Sequence, residues 1–324
     1  MNTKIIIRAS VISVLLANAP FSHAQDFPSK PIRIVVPFPP GGSADTVTRM
    51  LGQSLCERWK QPVVIENKAG ASGMIGTSQV ARSSADGYTL VMASGGSQAI
   101  NVGLFNKIAY DPIRDFSPVA LTAILPLLMV APANAPYSSV QDFITWAKSS
   151  TTPTNYCSIG PGSPSHLAGE LFIASTKLDL THIPYKGSGP ALVDAIAGFC
   201  NVIFDSALSS GPHVRNGKLK VLAVGTEQRM PSWAQIPTVS ESGIPGFSAY
   251  SWLGLFAPAG TPDNIVETVN RDVGAILNSS QFKEKLELQG AIPGKGSPTD
   301  LGKFLGSEIS KWSALIKQRG ITAD

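Results

Sequence analysis

Three loops rich in glycine and serine are the first features of this sequence that could do chemistry. They read PFPPGGSADT at 37–46, ASGGSQAIN at 93–101 and SIGPGSPSHLAGELF at 158–172. Glycine lets the backbone turn sharply and approach a ligand closely, and the first N–H groups of a following helix are unpaired and partly positive. Loops of this kind bind anions through main-chain donors, so three of them together predict an anion-binding cleft.

The first loop is also compatible with a helix start that binds nothing, in which Ser43 or Asp45 caps the helix. It is not a phosphate-binding P-loop, because the lysine and the serine or threonine after the glycines are missing, and it does not fit G-x-G-x-x-G. None of the three loops contains an arginine. We therefore expect neutral N–H groups and hydroxyls, instead of a bidentate guanidinium, to hold the anion.

Three further polar side chains could face such a cleft. His166 begins a predicted helix and could donate to a ligand or only orient the loop before it. Tyr185 opens the segment YKGSGPALVDAI, and Asp205 follows the apolar run NVIF at the end of a predicted strand. Asp205 could accept a hydrogen bond from a ligand amine or cap the next turn, and the sequence does not choose between these roles.

A serine hydrolase is the alternative function, with Ser163 or Ser165 as the nucleophile and His166 as the base. However, the sequence contains no G-x-S-x-G elbow and no H-E-x-x-H zinc motif. The three histidines after residue 24 lie far apart without clustered carboxylates, which argues against a metal site. We expect no catalytic residue, no metal and no cofactor.

The N-terminus has the pattern of an export signal. Lys4 and Arg8 precede the apolar stretch Val11–Ala19, which is too short to span a bilayer, and Ser22-His23-Ala24 provides a small-residue cleavage site. We predict that residues 1–24 are a signal peptide cleaved after Ala24, the alternative being a buried N-terminal helix. Of the 26 basic residues, 24 then remain against 22 acidic ones. This small excess does not indicate nucleic-acid binding.

The three cysteines allow at most one disulfide within the chain. Cys56, Cys157 and Cys200 match no metal-binding spacing. A Cys157–Cys200 bridge is one possibility in an oxidising compartment, and small buried thiols are the other.

After the signal, strands and helices alternate, which predicts an α/β fold. The predicted strands are 32–37, 62–65, 89–93, 125–131, 155–158, 182–185, 202–204, 219–225 and 251–258. The predicted helices are 45–59, 74–82, 140–148, 165–176, 191–197, 264–278 and 301–317.

The two C-terminal helices have almost no strand of their own and must pack on an existing sheet. We expect the first block of strands to be their host, which gives one lobe of 25–126 with 252–324 and a second lobe of 127–251. The chain then crosses between lobes near 125–130 and 250–257. Ligands bind at the carboxyl ends of strands in such sheets, so two facing lobes would enclose a cleft.

Several segments in order resemble the Bug family of extracytoplasmic solute receptors, the binding subunits of tripartite tricarboxylate transporters. They include KPIRIVVPFPPGGSADTVTRML, VIENKAGASGMIGTSQVARSSADGYTL, GPGSPSHLAGELF, IPYKGSGPALVDAIAG and WLGLFAPAGTP. The resemblance covers nearly the whole chain after the signal. It implies an α/β, two-lobed fold like the type II periplasmic binding proteins, with a cleft between the lobes.

The resemblance also implies a monomeric periplasmic receptor that binds a small organic acid and delivers it to membrane permease subunits. A sensing role with a signalling partner is a weaker alternative. Carried over by position, the ligand-binding residues would be Phe38, Gly42, Ser43, Asp45, Ser94, Ser97, Gly162, Ser163, Ser165, His166, Tyr185 and Asp205. The segment GFCNVIFD departs from the family pattern, which weakens the assignment of Asp205.

Overall fold

The structure is a computed structural model that describes residues 27–323, so the predicted signal peptide and its cleavage point lie outside the described residues. The strands are β1 (Ile32–Val36), β2 (Val63–Asn67), β3 (Thr89–Ser94), β4 (Phe116–Pro132), β5 (Asn155–Ser158), β6 (Thr181–Pro184), β7 (Val202–Ser206), β8 (Leu219–Val224), β9 (Tyr250–Pro258) and β10 (Ile292–Pro293).

The α-helices are α1 (Ser43–Trp59), α2 (Met74–Ala81), α3 (Asn101–Leu104), α4 (Val140–Ser149), α5 (Pro164–Thr176), α6 (Ser188–Ala197), α7 (Ala207–Arg215), α8 (Asp263–Asn278), α9 (Ser280–Leu288) and α10 (Pro298–Arg319). A π-helical segment, Gly96–Ile100, precedes α3, and 3-10 turns lie at Ala71–Gly73 and Pro231–Trp233. In residues 27–323 no helix combines the length and apolar composition that a membrane crossing requires.

Most predicted elements are confirmed to within two or three residues, whereas α3, α7, α9 and the short strand β10 were not predicted. Gly211 and Pro212 lie inside α7, and both disfavour a helix interior. The start signals were nevertheless present. Ser206 caps α7 by accepting a hydrogen bond from the N–H of Ser209, and Ser279 caps α9 in the same way.

The strands form a mixed sheet in the order β2-β1-β3-β9-β4-β7-β5-β6, with β8 and β10 also paired to β4. Strand β1 is parallel to β2 and β3, and β5 is parallel to β6 and β7, as the alternation of strands and helices predicts. Strand β9 runs antiparallel to both β3 and β4, and β4 runs antiparallel to β7 and β8. The fold is therefore α/β and two-lobed, with an antiparallel centre.

Strand β4 is the longest element of the sheet and passes from one lobe to the other. Its residues 116–126 pair with β9, and its residues 127–132 pair with β7 and β8. The sequence predicted only 125–131 of it, because Pro118 disfavours a central strand. The register of β4 shifts between Pro118 and Ala120, and this irregularity accommodates the proline.

Helices α8 and α9 pack on the part of the sheet that contains β1, β3 and β9. Val266, Val269 and Val273 lie on one face of α8 and share a core with Val47 and Leu51 of α1. Helix α10 buries Leu305, Trp312 and Ile316 in a second core that extends into the other lobe. Its last residue, Arg319, donates to Glu170 of α5 at 2.5 Å. Helix α10 therefore contacts both lobes.

Cys157 on β5 and Cys200, which precedes β7, form a disulfide, with their Cα atoms 5.7 Å apart. Both cysteines are buried beside Leu192 and Ile203. Cys56 is exposed and unpaired among the described residues. The sequence left open a disulfide or two free buried thiols at these positions, and the structure contains the disulfide.

The bridge closes a sequence separation of 43 residues. We expect Cys157→Ser with Cys200→Ser to lower the free energy of unfolding by about 2–4 kcal/mol, because the unfolded chain gains freedom. Urea denaturation measures this difference. As the matched control, Cys56→Ser should change the free energy of unfolding by less than about 0.5 kcal/mol. Equal stability of the double variant and the wild type would show that the bridge is absent or without effect.

Candidate functional site

A cavity of about 600 Å³ lies between the two lobes and is lined by residues of both. The first lobe contributes the loop from Phe38 to Ala44, the end of β3, and Leu104 of α3. The second lobe contributes the loop from Ile159 to Ser165 and the segment from Asp205 to Ser209. The carboxyl ends of β1, β3, β5 and β7 all reach this cavity, which is where ligands bind in open α/β sheets.

Four α-helices begin at the cavity wall. The lining includes Ser43 of α1, Ser165 of α5, Ser188 of α6 and Ala207 of α7. The π-helical segment adds Gly96 beside Ser94. Because the N-terminal N–H groups of a helix are partly positive, helix starts from both lobes direct positive potential into one cavity.

Helix α1 begins without a side-chain cap among residues 27–323, so the predicted capping by Ser43 or Asp45 is wrong. Asp45 instead turns back and accepts from the N–H of Gly41 at 2.9 Å and from Arg49 at 3.0 Å. Asn67 donates to the second oxygen of Asp45 at 2.9 Å and to the carbonyl of Phe38 at 3.1 Å. Asp45 therefore fixes the loop, while no side chain of residues 27–323 caps the start of α1.

The strong hydrogen bond from Arg49, together with those from Gly41 and Asn67, lowers the pKa of Asp45 to about 2. Asp45 is thus a carboxylate at any physiological pH. It lies behind the cavity wall, where its charge is compensated by Arg49.

The loop before α5 is held by its own side chains. Ser163 accepts from the N–H of His166 at 3.2 Å and donates to the carbonyl of Gly160 at 2.6 Å. The N–H of Gly162 donates to Nδ1 of His166 at 3.0 Å, which requires the neutral ring to carry its proton on Nε2. Gly162 has φ +68°, and a Cβ there would collide with Leu104 of the other lobe. The two lobes thus meet at Gly162.

His166 belongs to a buried polar cluster that supports this loop. Its ring stacks on His182 with centroids 4.0 Å apart, and Nε2 of His182 lies 2.7 Å from the hydroxyl of Ser158. Burial, reinforced by His182, lowers the pKa of His166 to about 4, so the ring is neutral. Glu170 accepts from Tyr156 at 2.5 Å and pairs with Arg319.

Asp205, the penultimate residue of β7, lies at the cavity wall and is 1% exposed. Its Oδ1 accepts from the hydroxyl of Ser188 at 2.6 Å, whereas its Oδ2 has no hydrogen-bond partner within residues 27–323. Burial raises the pKa of Asp205 to about 6. Across the part of the chain that the structure describes, Asp205 is the one titratable side chain in the cavity lining, which holds no lysine, arginine or histidine.

Eight of the twelve predicted site residues line this cavity. They are Phe38, Gly42, Ser43, Ser94, Gly162, Ser163, Ser165 and Asp205.

The side chains of the other four lie behind the wall, where each one holds another group. Asp45 and His166 hold the two glycine loops as described above. Ser97 donates to the carbonyl of Ser94 at 3.2 Å, and Tyr185 donates to Asp194 at 2.6 Å. For His166 this structural role was the alternative that the sequence left open, whereas for Ser97 and Tyr185 the sequence suggested no such role.

Sequence reasoning missed several lining residues. Ser188 lies in a segment that was singled out, and Ser206 and Ser209 follow Asp205 directly, so their serine-rich context was a usable signal. Gln289 and Gly290 reach the cavity after α9, a helix that was not predicted. No local pattern marks them, because only the packing of α9 places them there.

The geometry does not favour the hydrolase alternative. The hydroxyl of Ser163 donates to a carbonyl, and that of Ser165 donates to the carbonyl of Phe204 at 2.5 Å. Nδ1 of His166 is occupied by a main-chain N–H, and its Nε2 faces Glu170 at 3.8 Å. Within 27–323, no group of three His, Cys, Asp or Glu side chains could hold a metal ion.

Comparisons with known proteins agree on one family. The profile of the tripartite tricarboxylate transporter family receptor, TctC, matches residues 47–321. Protein BugT of Bordetella pertussis (strain Tohama I) is 35% identical over 315 residues, 96% of this chain and 97% of BugT.

Two solved structures from Rhodopseudomonas palustris are similar over the whole fold. Rpa4515 with adipate is 38% identical, with a TM-score of 0.79 and coverage of 91% of this chain and 99% of the other. MatC with bound malate is 35% identical, with a TM-score of 0.74 and coverage of 90% and 100%.

The buried carboxyl of Asp205 gives a stability prediction. Its folded pKa of about 6 lies above its ordinary value of 3.8, so the folded state binds the proton more tightly and stability falls as pH rises from about 4 to 6. At pH 8 this carboxylate costs about 2–3 kcal/mol, since one pKa unit is worth about 1.4 kcal/mol. We expect ligand-free Asp205→Asn to be more stable than the wild type by about 1–3 kcal/mol at pH 8 and nearly equal at pH 4.

Urea denaturation at both pH values measures this difference. Asp179→Asn, the same change at an exposed position of the same lobe, should leave stability unchanged at both. If Asp205→Asn were less stable at pH 8, the carboxylate would have a compensating partner in the ligand-free protein.

Proposed function

Because the chain belongs to the tripartite tricarboxylate transporter receptor family, we propose that it binds a small organic carboxylate between its two lobes and delivers it to a membrane permease of that class. One observation carries the proposal: helix starts from both lobes surround a cavity whose lining, over residues 27–323, includes no basic side chain. A carboxylate fits these donors because it brings the negative charge that the helix starts favour. In two relatives the bound molecules are the carboxylates adipate and malate.

The ligand would stabilise the closed form by touching both lobes. A molecule that bonds to the start of α1 in one lobe and to α5 or α7 in the other has more contacts in the closed form than in the open one. This differential affinity closes the cleft. A permease could then distinguish the loaded receptor from the empty one by its shape.

We assign residues 25–126 and 252–324 to one lobe and 127–251 to the other. The assignment is supported by the change of pairing partner along β4, from β9 to β7 and β8, at residues 126–127. The two crossings, within β4 and at the start of β9, would act as hinges. Strand crossings suit this role, since few backbone angles need to change during closure.

Eight residues would contact the ligand or its water shell. They are Phe38, Gly42, Ser43, Ser94, Gly162, Ser163, Ser165 and Asp205. Asp45, Ser97, His166 and Tyr185 would act indirectly by fixing the loops. We place the chain in the periplasm because family members are periplasmic receptors. We also propose that it is cleaved behind Ala24 and acts as a monomer. No covalent step is needed for this function, so we do not propose an enzymatic activity.

Gly162→Ala tests the closure between the lobes. The new methyl group would displace the Leu104 side chain, and alanine is disfavoured at the φ of +68° that Gly162 adopts, so the α5 loop and its contact with Leu104 would change. We expect affinity for the bound carboxylate to fall at least about ten-fold. Calorimetric titration with a panel of mono-, di- and tricarboxylates that includes adipate and malate identifies the ligand and measures this loss.

Gly274→Ala is the matched control, because a Cβ there meets no atom within 4 Å. It should bind like the wild type. If no carboxylate of the panel bound to the wild type, the proposed function would be contradicted. If Gly162→Ala bound the carboxylate as tightly as Gly274→Ala, the proposed closure between the lobes would be contradicted.

A further inference from the structure

Arg319, at the end of α10, pairs with a buried carboxylate that no step of the proposed function uses. Its Nε donates to Oε2 of Glu170 at 2.5 Å, and the Glu170 side chain is 9% exposed. Ile316 of the same helix and Ala168 of α5 share a buried core, and the two helices pack together. A carboxylate with so little contact to water requires a compensating charge. In the part of the chain that the structure describes, Arg319 is the one lysine or arginine paired with Glu170.

The other oxygen of Glu170 faces the ring that holds the loop before α5. Oε1 of Glu170 accepts from the hydroxyl of Tyr156 and lies 3.8 Å from Nε2 of His166. This distance is too long for a hydrogen bond, yet the carboxylate charge still favours a second proton on the ring. Nδ1 of His166 accepts from the N–H of Gly162 at 3.0 Å, and a doubly protonated ring has no acceptor left. Protonation of His166 would therefore break its hydrogen bond with Gly162.

The titratable groups around His166 come from four elements and oppose one another. Burial and His182 of β6 lower the pKa of His166 to about 4, and Glu170 of α5 acts in the opposite direction. Burial also lowers the pKa of His182 and raises the pKa of Tyr156 of β5, so both groups are uncharged near neutral pH. Arg319 of α10 supplies the positive charge that offsets the attraction of Glu170 for the ring proton. Without Arg319 that attraction would be unopposed.

We propose that Arg319 is a positioning residue for ligand binding: it compensates the buried carboxylate of Glu170, so that Nδ1 of His166 stays free to accept from the N–H of Gly162. The inference rests on the proposed function and adds to it a residue that lies outside the cavity. Gly162 and Ser163 line the cavity, so release of this loop weakens binding although Arg319 touches no ligand.

A purely structural role for Arg319 makes different predictions. A cation at the end of a helix is favoured by the helix dipole, and an ion pair with Glu170 would also tie α10 to α5. Loss of such a tie would lower stability and affinity at every pH. The positioning role instead acts through the charge of Glu170 and the proton on His166, so its loss depends on pH and on Glu170.

Nitrogen NMR of the histidine rings tests the first step in the ligand-free protein. In the wild type the ring of His166 should remain neutral, with its proton on Nε2, from pH 8 down to about pH 5. In Arg319→Gln the ring should take up its second proton at a pH at least about one unit higher than in the wild type. The signal of His166 is assigned by its absence from His166→Asn.

Calorimetric titration with adipate, malate and any other acid of the panel that binds the wild type tests the second step. At pH 8 Arg319→Gln should bind within about two-fold of the wild type, since both rings are neutral. At about pH 4.5 it should bind at least about three-fold more weakly, which is the loss that a shift of one pKa unit produces. The protonation of the acid itself cancels in this ratio.

Three further variants separate charge from structure. Arg319→Lys keeps the charge and should behave like the wild type. Glu170→Gln combined with Arg319→Gln removes both charges, so the ring should again stay neutral to about pH 5 and the loss of affinity at low pH should disappear. Lys317→Gln removes an exposed cation from the same turn of α10 and should change neither measurement. Melting curves establish that each variant is folded.

Equal titration of His166 in Arg319→Gln and Lys317→Gln would overturn the inference and leave the proposed function intact. A shifted titration without weaker binding at about pH 4.5 would also overturn it. The same holds for a loss of affinity that is equal at both pH values and persists in the double variant, because the ion pair would then only tie the helices. If no carboxylate bound the wild type, the proposed function would fail, and the role of Arg319 in binding would fail with it.

Discussion

Ligand binding in this fold would depend on main-chain N–H groups at helix starts around a cavity whose lining, within residues 27–323, holds no basic side chain. Serine side chains cap α5 and α7, whereas α1 has no side-chain cap in this range. Each helix start carries a partial positive charge that water or an anion must satisfy. In this chain α1 and α5 belong to different lobes, yet Ser43 and Ser165 line one cavity. Such neutral donors act over short distances, so the fold has to position the loops accurately for them to bind one small molecule.

Positioning is achieved by the sheet and by buried polar groups behind the wall. Strands β4 and β9 pair with each other and link the two lobes. Asp45 holds the loop before α1, and His166 holds the loop before α5, each through a hydrogen bond from a glycine N–H. The residues that line the cavity and the residues that hold its loops are thus adjacent in sequence but make different contacts.

Much of this arrangement could be predicted from the sequence. The loops at 37–46 and 158–172 were recognised because strand, glycine and helix signals follow one another locally. The sequence could not show that Asp45 and His166 point away from the cavity, because the direction of a side chain depends on partners such as Asn67 and His182 that are distant in the chain. The full length of β4, the antiparallel centre of the sheet and the contribution of Gln289 likewise arise from tertiary packing.

The most direct measurement of the central claim is a crystal structure of the receptor with the carboxylate that it binds. Our account predicts carboxylate oxygens about 2.7–3.2 Å from main-chain N atoms at the start of α1, with groups of the second lobe on the opposite side of the ligand. A carboxylate held by a lysine or arginine side chain, or bound outside the cavity between the lobes, would contradict it.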